Sequence, residues 1–466
     1  MSPTEPVGGN SRGAPSRAGA DQPGWRTQAT DRVATDGPTV VLDRSGVQGR
    51  LDPDPDPDPD ATAVLPALPP APPPGGTVVR RRRGPLRQVR RIAGALVLLL
   101  LVGLGWSVGT AIGRPTSETT TAKVAEWARE HHLGGVVNYL EQKQYDLNKP
   151  KVGGTVANGF QVGTDNPTAA PAPPRTVPRK AVRPHTPAPA AIAPLGVAQS
   201  AQEGAWRTLV SVDGLPAILG TAVTPDTEHT SYAVTVAWMD PKLLTLQLRP
   251  GAGEPGGPWS IPSQLTVADR RTVAATFNSG FRLLTGDAHG GYDLAGRTAV
   301  PLRQGAASLV IDKDGTAKIG AWGRDVTMTP QVQSVRQNLA MLIDHGVIPG
   351  SVDEGSGPTW GFTLNSADAV WRSGAGVTRS GALVFAYGNA LTTRTLANVL
   401  QRAGAVQAME LDINTQWQHF DYYTHADATT TAHALNPSQY HSPEFYYSLS
   451  ARDFFAVFPR GVAGAR

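Results

Sequence analysis

The chain has 466 residues, with 51 Gly, 41 Pro and no Cys, and its 42 basic and 38 acidic residues leave a formal net charge of +4. The absence of Cys excludes disulfides, cysteine nucleophiles and thiolate metal sites, so stability must come from the core itself. The length allows two or three domains, and so small a net charge says less than its distribution along the chain.

Residues 1–79 are rich in Gly, Pro, Ser, Asp and Ala and include "DPDPDPDPD" and "LPALPPAPPP". Such a segment buries too little apolar surface to offset its ordering entropy, and predicts a disordered tail with extended polyproline stretches acting as a spacer. A basic juxtamembrane segment follows at 80–91, "RRRRGPLRQVRR". After it comes the uncharged run 92–113, "IAGALVLLLLVGLGWSVGTAIG". As a helix of roughly 22 residues it is about 33 Å long, enough to cross a bilayer. A cleaved signal peptide fits less well, because the run begins far into the chain without a clear small-x-small cleavage site. The arginine cluster on one flank predicts a single-pass anchor with a cytoplasmic N-terminus and an extracytoplasmic remainder. Its position against the membrane also accounts for the cluster without nucleic acid.

Residues 114–149 predict a short helical hairpin or stalk. Val124, Trp127, Ala128 and His131 follow helical spacing, and Val136, Val137 and Leu140 resume it after Gly134-Gly135. Adjacent His131 and His132 point about 100° apart on a helix, which disfavours joint metal ligation. The Pro/Ala-rich stretch 150–195 reads as an extended linker.

The ectodomain, 196–466, reads as α+β, a mixed β-sheet with a few packed helices. Strands are expected at 232–240, 243–251, 271–281 and 453–458, with a hairpin over 307–323 turning at Lys313-Asp314-Gly315. Helices are expected at 329–346, capped by Thr329, and at 392–404, ending at Gly404. The aromatic and His-rich stretch 417–447 reads as a long loop suited to stacking on a sugar. Its His419, His425, His433 and His441 fit no standard zinc spacing. Asp353 and Glu354 sit in a Gly-rich segment that reads as a solvated loop, with a cation site or a cover over the pocket as the alternative.

"AVQAMELDINTQW", residues 405–417, brings chemistry to the end of an apolar strand, because Glu410 and Asp412 are two apart and share a strand face. Either a carboxylate pair or an acidic turn fits that pattern. In order along the chain, "TFNSGF", "GGYDLAGRTAVPL", "WRSGAGVTRSGALVFAYG" and "TLANVLQRAGAVQAMELD" resemble the motifs of the phosphodiester glycosidase family. The match lies in Asn278, Gly280 and Phe281, then Arg372, Gly376 and Val377, then Leu396 and Ala397, and finally Leu411 and Asp412, covering roughly 270–415. Where the family has Gly-Gly-Gly-Ser after the Asp, this chain has Ile413-Asn414-Thr415-Gln416, so the loop must take another shape, with Asn414 the residue that tolerates a left-handed turn.

The resemblance implies cleavage of the bond between a sugar and its 1-phosphate diester, through an oxocarbenium-like transition state. It implies Asp412 as the main carboxylate; Glu410, where the family usually has a neutral residue, is the second candidate from its place on the same strand face. Arg372 would hold phosphate and Asn278 would orient the sugar. Gly280, Asn414 and Trp417 complete the expected substrate contacts, together with Tyr292, which fits either the rim of the site or core or loop packing. The implied partner is a carbohydrate or phosphoglycan, and no nucleotide or redox cofactor is implied, with a divalent cation left open. The rival reading is a glycan-binding or envelope-scaffolding module without catalysis.

Overall fold

The computed structural model describes residues 85–156, 160, 162, 183–363, 367–426 and 429–461. The tail expected over 1–79 lies outside these residues. α1 (Pro85–Ile112) contains nearly all of the uncharged run, and its Val89–Ile112 portion is long and apolar enough to cross a membrane, its most apolar part uncovered by protein. α2 (Thr120–Glu130) and α3 (Gly134–Leu147) form the expected helical hairpin. Thr119 caps α2 by accepting a hydrogen bond from the Ala122 N–H. Trp127, Ala128 and Val137 of the hairpin pack on Ala111 near the end of α1.

Three sheets make up the rest. The seven-stranded sheet runs β1 (Arg207–Val212), β2 (Leu215–Val223), β3 (Val234–Met239), β13 (Leu383–Leu391), β12 (Val370–Thr378), β14 (Ala405–Glu410), β11 (Met341–Ile343). A five-stranded sheet orders β7 (Arg297–Val300), β6 (Tyr292–Leu294), β10 (Val332–Gln337), β8 (Ala307–Asp312), β9 (Ala317–Ala321). The other orders β16 (Thr429–Ala434), β15 (Phe420–Ala426), β5 (Ala275–Asn278), β17 (Phe454–Pro459), β4 (Leu244–Arg249). The short α4 (Val267–Arg270) precedes β5, and α5 (Thr393–Arg402) joins β13 to β14.

Among the described residues the paired strands are antiparallel, which corrects the mixed sheet expected from sequence. The reason lies at α5. The helix carries β13 over to β14 in the same direction, but β12 is inserted between them and is antiparallel to both. Parallel strands therefore exist here without touching.

The main core forms where the three sheets meet, with Ile218, Phe385 and Met409 from the first, Leu294 and Leu309 from the second, and Phe277 and Phe455 from the third. Along β13, Phe385 and Tyr387 enter this core while Val384 and Ala386 enter a second one, closed by Leu396, Val399 and Leu400 of α5. Covering on both faces explains why this stretch is apolar at consecutive positions.

Two expected elements differ. Residues 329–346 are not a helix but β10 and β11 with a turn between them. The helical spacing of Val332, Val335, Leu339 and Leu342 would have put the intervening polar residues in water. Instead Ser334, Arg336, Gln337 and Asn338 are at most 1% exposed, and the last three are bonded internally, as with Arg336 to Asp453 at 2.8 Å. The stretch 417–447 is not one long loop: β15 and β16 pair as a hairpin within it, followed by a turn at Phe445–Tyr447. The Tyr and Thr of β15 and the run of Thr in β16 suit strands, a signal masked by the aromatic and His density of the stretch.

Candidate active site

β12 and β14 lie side by side, and their pairing continues past the end of β14. The Leu411 N–H donates to the Ser373 carbonyl at 2.8 Å, and the Ser373 N–H donates to the Asp412 carbonyl at 2.9 Å. The Gln418 amide also donates to that carbonyl, at 2.7 Å. The backbone at Asp412 is thus fixed before its side chain does anything.

One Asp412 oxygen accepts the Asn414 N–H at 2.7 Å, and the other meets an Arg452 nitrogen at 2.9 Å. Asn414 in turn accepts the Gln416 N–H through its side chain, and its carbonyl accepts the Trp417 N–H. The loop that lacks the family glycines is therefore built from successive side-chain-to-backbone turns. Asn414 does not have a positive φ, so the loop turns without using the left-handed conformation that this residue tolerates. Burial pushes the Asp412 carboxyl above its ordinary value, against the opposing Arg452 charge and two backbone donors.

Arg452 stands just before β17 and was not singled out from sequence. It donates to the Gly280 carbonyl at 2.6 Å and lies 4.8 Å over the Trp417 ring. Gly280 is needed there, because a Cβ would sit 2.6 Å from Asn338 Oδ1. Asn338 itself accepts the Phe281 N–H and donates to the carbonyls of Glu410 and Leu411. Arg282 pairs with Glu126 of α2 at 2.8 Å and approaches Glu254 at 3.5 Å. Glu126 and Glu254 also act electrostatically on Arg452.

Behind this layer, Arg372 and Glu410 form a sealed ion pair at 2.6 Å, with side chains 1% and 0% exposed. Arg372 also donates to the Leu391 carbonyl at 3.0 Å. Burial raises the Glu410 carboxyl, with Arg372 pulling the other way and Asp412 adding to the rise. Asn278 donates to Ser373 Oγ and the Ser279 carbonyl and accepts the His419 N–H, so both of its amide protons are engaged. The atoms Glu410 Oε2, Gln418 Oε1 and Ser279 Oγ are buried without a hydrogen-bond partner on segments that meet here.

Asp412, Glu410, Arg372, Asn278, Gly280, Asn414 and Trp417 are thus linked by direct contacts or one shared residue. Tyr292 is not. It is fully buried in the main core, edge-on to Trp259, which is the packing role that the sequence left open beside the rim. The strand pattern of "GGYDL" gave no sign that both of its faces would be covered. Asp353 pairs with Arg394 at an exposed position. A separate hollow of about 570 Å³, lined by Lys242, Lys318, Asp325 and Gln407 among others, shares no residue with the cluster.

No protein-family model matches the chain, and no curated protein matches it. Among solved structures it is similar to the zebrafish N-acetylglucosamine-1-phosphodiester alpha-N-acetylglucosaminidase catalytic domain auto-inhibited by its pro-peptide, at 15% identity and TM-score 0.36 over 55% of this chain and 87% of that one. It is similar to a hypothetical protein from Synechocystis at 14% identity and TM-score 0.30, over 53% and 63% of the two chains. An exported protein from Burkholderia pseudomallei K96243 matches at 12% identity and TM-score 0.26, over 49% and 74%. The likeness to a phosphodiester glycosidase domain is distant.

Proposed function

We propose that this chain is a membrane-anchored, extracytoplasmic hydrolase that cleaves the sugar–phosphate bond of glycosyl 1-phosphodiesters in envelope or extracellular polysaccharide. The observation that carries this reading is the Asp412 carboxylate, held by its own loop and faced by Arg452 over Trp417. Ionised Asp412 takes a proton from water as the water oxygen bonds to the sugar C1. The C1–O bond breaks, and its electron pair leaves with the phosphate oxygen as a phosphomonoester. Arg452 offsets the phosphate charge in the role first given to Arg372, and Trp417 offers a face for the sugar. Arg372 and Glu410 brace the strand end, and Asn278 holds Ser373 against Asp412. The basic flank of α1 keeps the N-terminus in the cytoplasm.

The test uses the full chain in detergent micelles with a panel of sugar 1-phosphodiesters, measuring released reducing sugar with and without EDTA. Release that falls roughly 10³-fold in a folded Asp412→Asn variant supports the reading. A second reading, a non-catalytic glycan-binding module, is favoured by the fact that both Asp412 oxygens are already engaged. It predicts no release from the parent, with polymer binding lost in Trp417→Ala.

A further inference from the structure

The helical hairpin carries an apolar surface that the protein leaves uncovered. On and just before α3, Leu133, Val136, Tyr139, Leu140 and Leu147 are 44%, 57%, 58%, 61% and 84% exposed. At about 100° per residue, these positions fall within roughly a third of the helix circumference. Tyr145 lies nine residues from Val136, about half a turn round from it, and its hydroxyl donates to the Ala369 carbonyl of the ectodomain at 3.0 Å. One side of α3 thus meets the ectodomain and the apolar side faces away from it.

What lies on that apolar side is set by α1. Trp127 of α2 donates its indole N–H to Ser107 Oγ at 2.9 Å, and Ala111 is buried against Trp127, Ala128 and Val137. Ser107 and Ala111 belong to the stretch long and apolar enough to span a bilayer. A hairpin packed against those turns stands at the depth of the outer headgroups, where Trp and Tyr are favoured. Trp106 is 77% exposed at the same level. Lys143, whose ammonium lies 5.8 Å from the Tyr139 ring, falls within the stripe between Tyr139 and Val136, where its stem lies along lipid and its ammonium snorkels to the headgroups.

We propose that the exposed stripe of α3 is seated in the lipid of the outer membrane leaflet, so that the hairpin lies on the bilayer instead of standing off it as a stalk. This rests on the reading of α1 as a membrane anchor. The hairpin is tied to the candidate site: the Ser117 N–H donates to the Leu449 carbonyl, Glu118 accepts the Ala451 N–H, and Glu126 pairs with Arg282. These contacts adjoin Arg452, so a hairpin on the bilayer holds the cationic edge of the site close to the membrane surface.

The absence of native Cys makes the test direct. Single-cysteine variants Leu140→Cys and Leu147→Cys of the full chain carry an environment-sensitive fluorophore in proteoliposomes containing brominated phosphatidylcholine. Leu99→Cys in α1 reports the anchor, and Thr227→Cys in an ectodomain loop is the aqueous control. Quenching of at least roughly twofold at 99, 140 and 147, with none at 227, supports the proposal. Quenching at 99 alone overturns it and leaves the anchor intact. Quenching nowhere overturns the anchor and the proposal together. Oxidative cross-linking of the Leu140→Cys variant without lipid quenching assigns the stripe to a second copy of the chain and overturns lipid as its occupant.

Discussion

Asp412 is nearly closed to solvent, so its charge depends on what stands beside it. Burial raises its carboxyl and Arg452 lowers it. If the ionised form takes the proton from water, activity rises with pH through a value above 3.8 and is lost below it. Arg452→Gln removes the opposing cation, so the acid limb of the kcat/KM profile should move to still higher pH, with a roughly 10²-fold loss at the plateau. An unchanged limb would separate Arg452 from the carboxylate. Arg372 poses a different question, because its guanidinium is spent on Glu410 and a carbonyl. Arg372→Met should cost about 3–5 kcal/mol by leaving Glu410 buried and unpaired, and adding Glu410→Met should recover most of it in urea unfolding. A single variant that stays stable but loses only affinity for phosphodiester would return Arg372 to the phosphate. Glu410 and Asp412 were legible in the sequence because a strand end displays its residues two by two. Arg452 was not, since it reaches Asp412 only through the closing of β17 on β5, a contact of long sequence separation with no local pattern.

At the level of elements, the sequence was most informative where one face alone is covered or where a turn has its own chemistry. α5, the β8–β9 hairpin and the α2–α3 hairpin carry such signals, from the Thr392 capping box to Gly315 at φ 79°. β10 misled because its polar residues are internal partners. β15 shows the same effect with a consequence for stability. Tyr422 belongs to the main core and Tyr423 to a third apolar cluster, so both faces are covered and Asp421 is carried into the interior. Asp421 Oδ2 then faces His419 Nε2 at 3.8 Å, while His419 Nδ1 is 2.9 Å from the Trp417 carbonyl and must donate to it. Burial pushes His419 down to about 3 and Asp421 well above its ordinary value. For His419 the stability gained above 6.5 is lost as pH falls towards 3, at about 1.4 kcal/mol per unit. For Asp421 the sign is opposite, because the fold favours its protonated form and acid relieves the strain of burying it. His419→Gln should therefore gain on the parent as pH falls from 6.5, and Asp421→Asn should lose ground to the parent as pH falls towards 3.8. Unfolding midpoints of both variants across that range decide it, and parallel curves would mean that the two groups are not titrating as placed.

For the whole molecule, the Pro/Ala-rich stretch before the sheets is where composition and structure say different things. Its described residues are part of the fold: Phe160 and Val162 lie in the main core, and Ile192 in the second. Thr186 donates its hydroxyl and its N–H to Asp240, a fully buried carboxylate. The sheet makes room for this segment. A Cβ at Gly220 would press on Val162 and Leu209, and one at Gly204 would overlap the Ile192 carbonyl. Low apolar content hid these contacts, because a few anchors separated by Pro and Ala carry no period, and a chain with restricted backbone loses less entropy on docking. A fragment of residues 196–466 lacks all three apolar anchors and leaves Asp240 short of its partners. At roughly 1.5–3 kcal/mol for each large buried side chain, it should be several kcal/mol less stable than a fragment of 150–466. Urea unfolding of the two fragments measures that difference, and equal midpoints would show the segment to be dispensable. If the shorter fragment unfolds first, any loss of turnover in it reports a missing part of the core before it reports on Asp412.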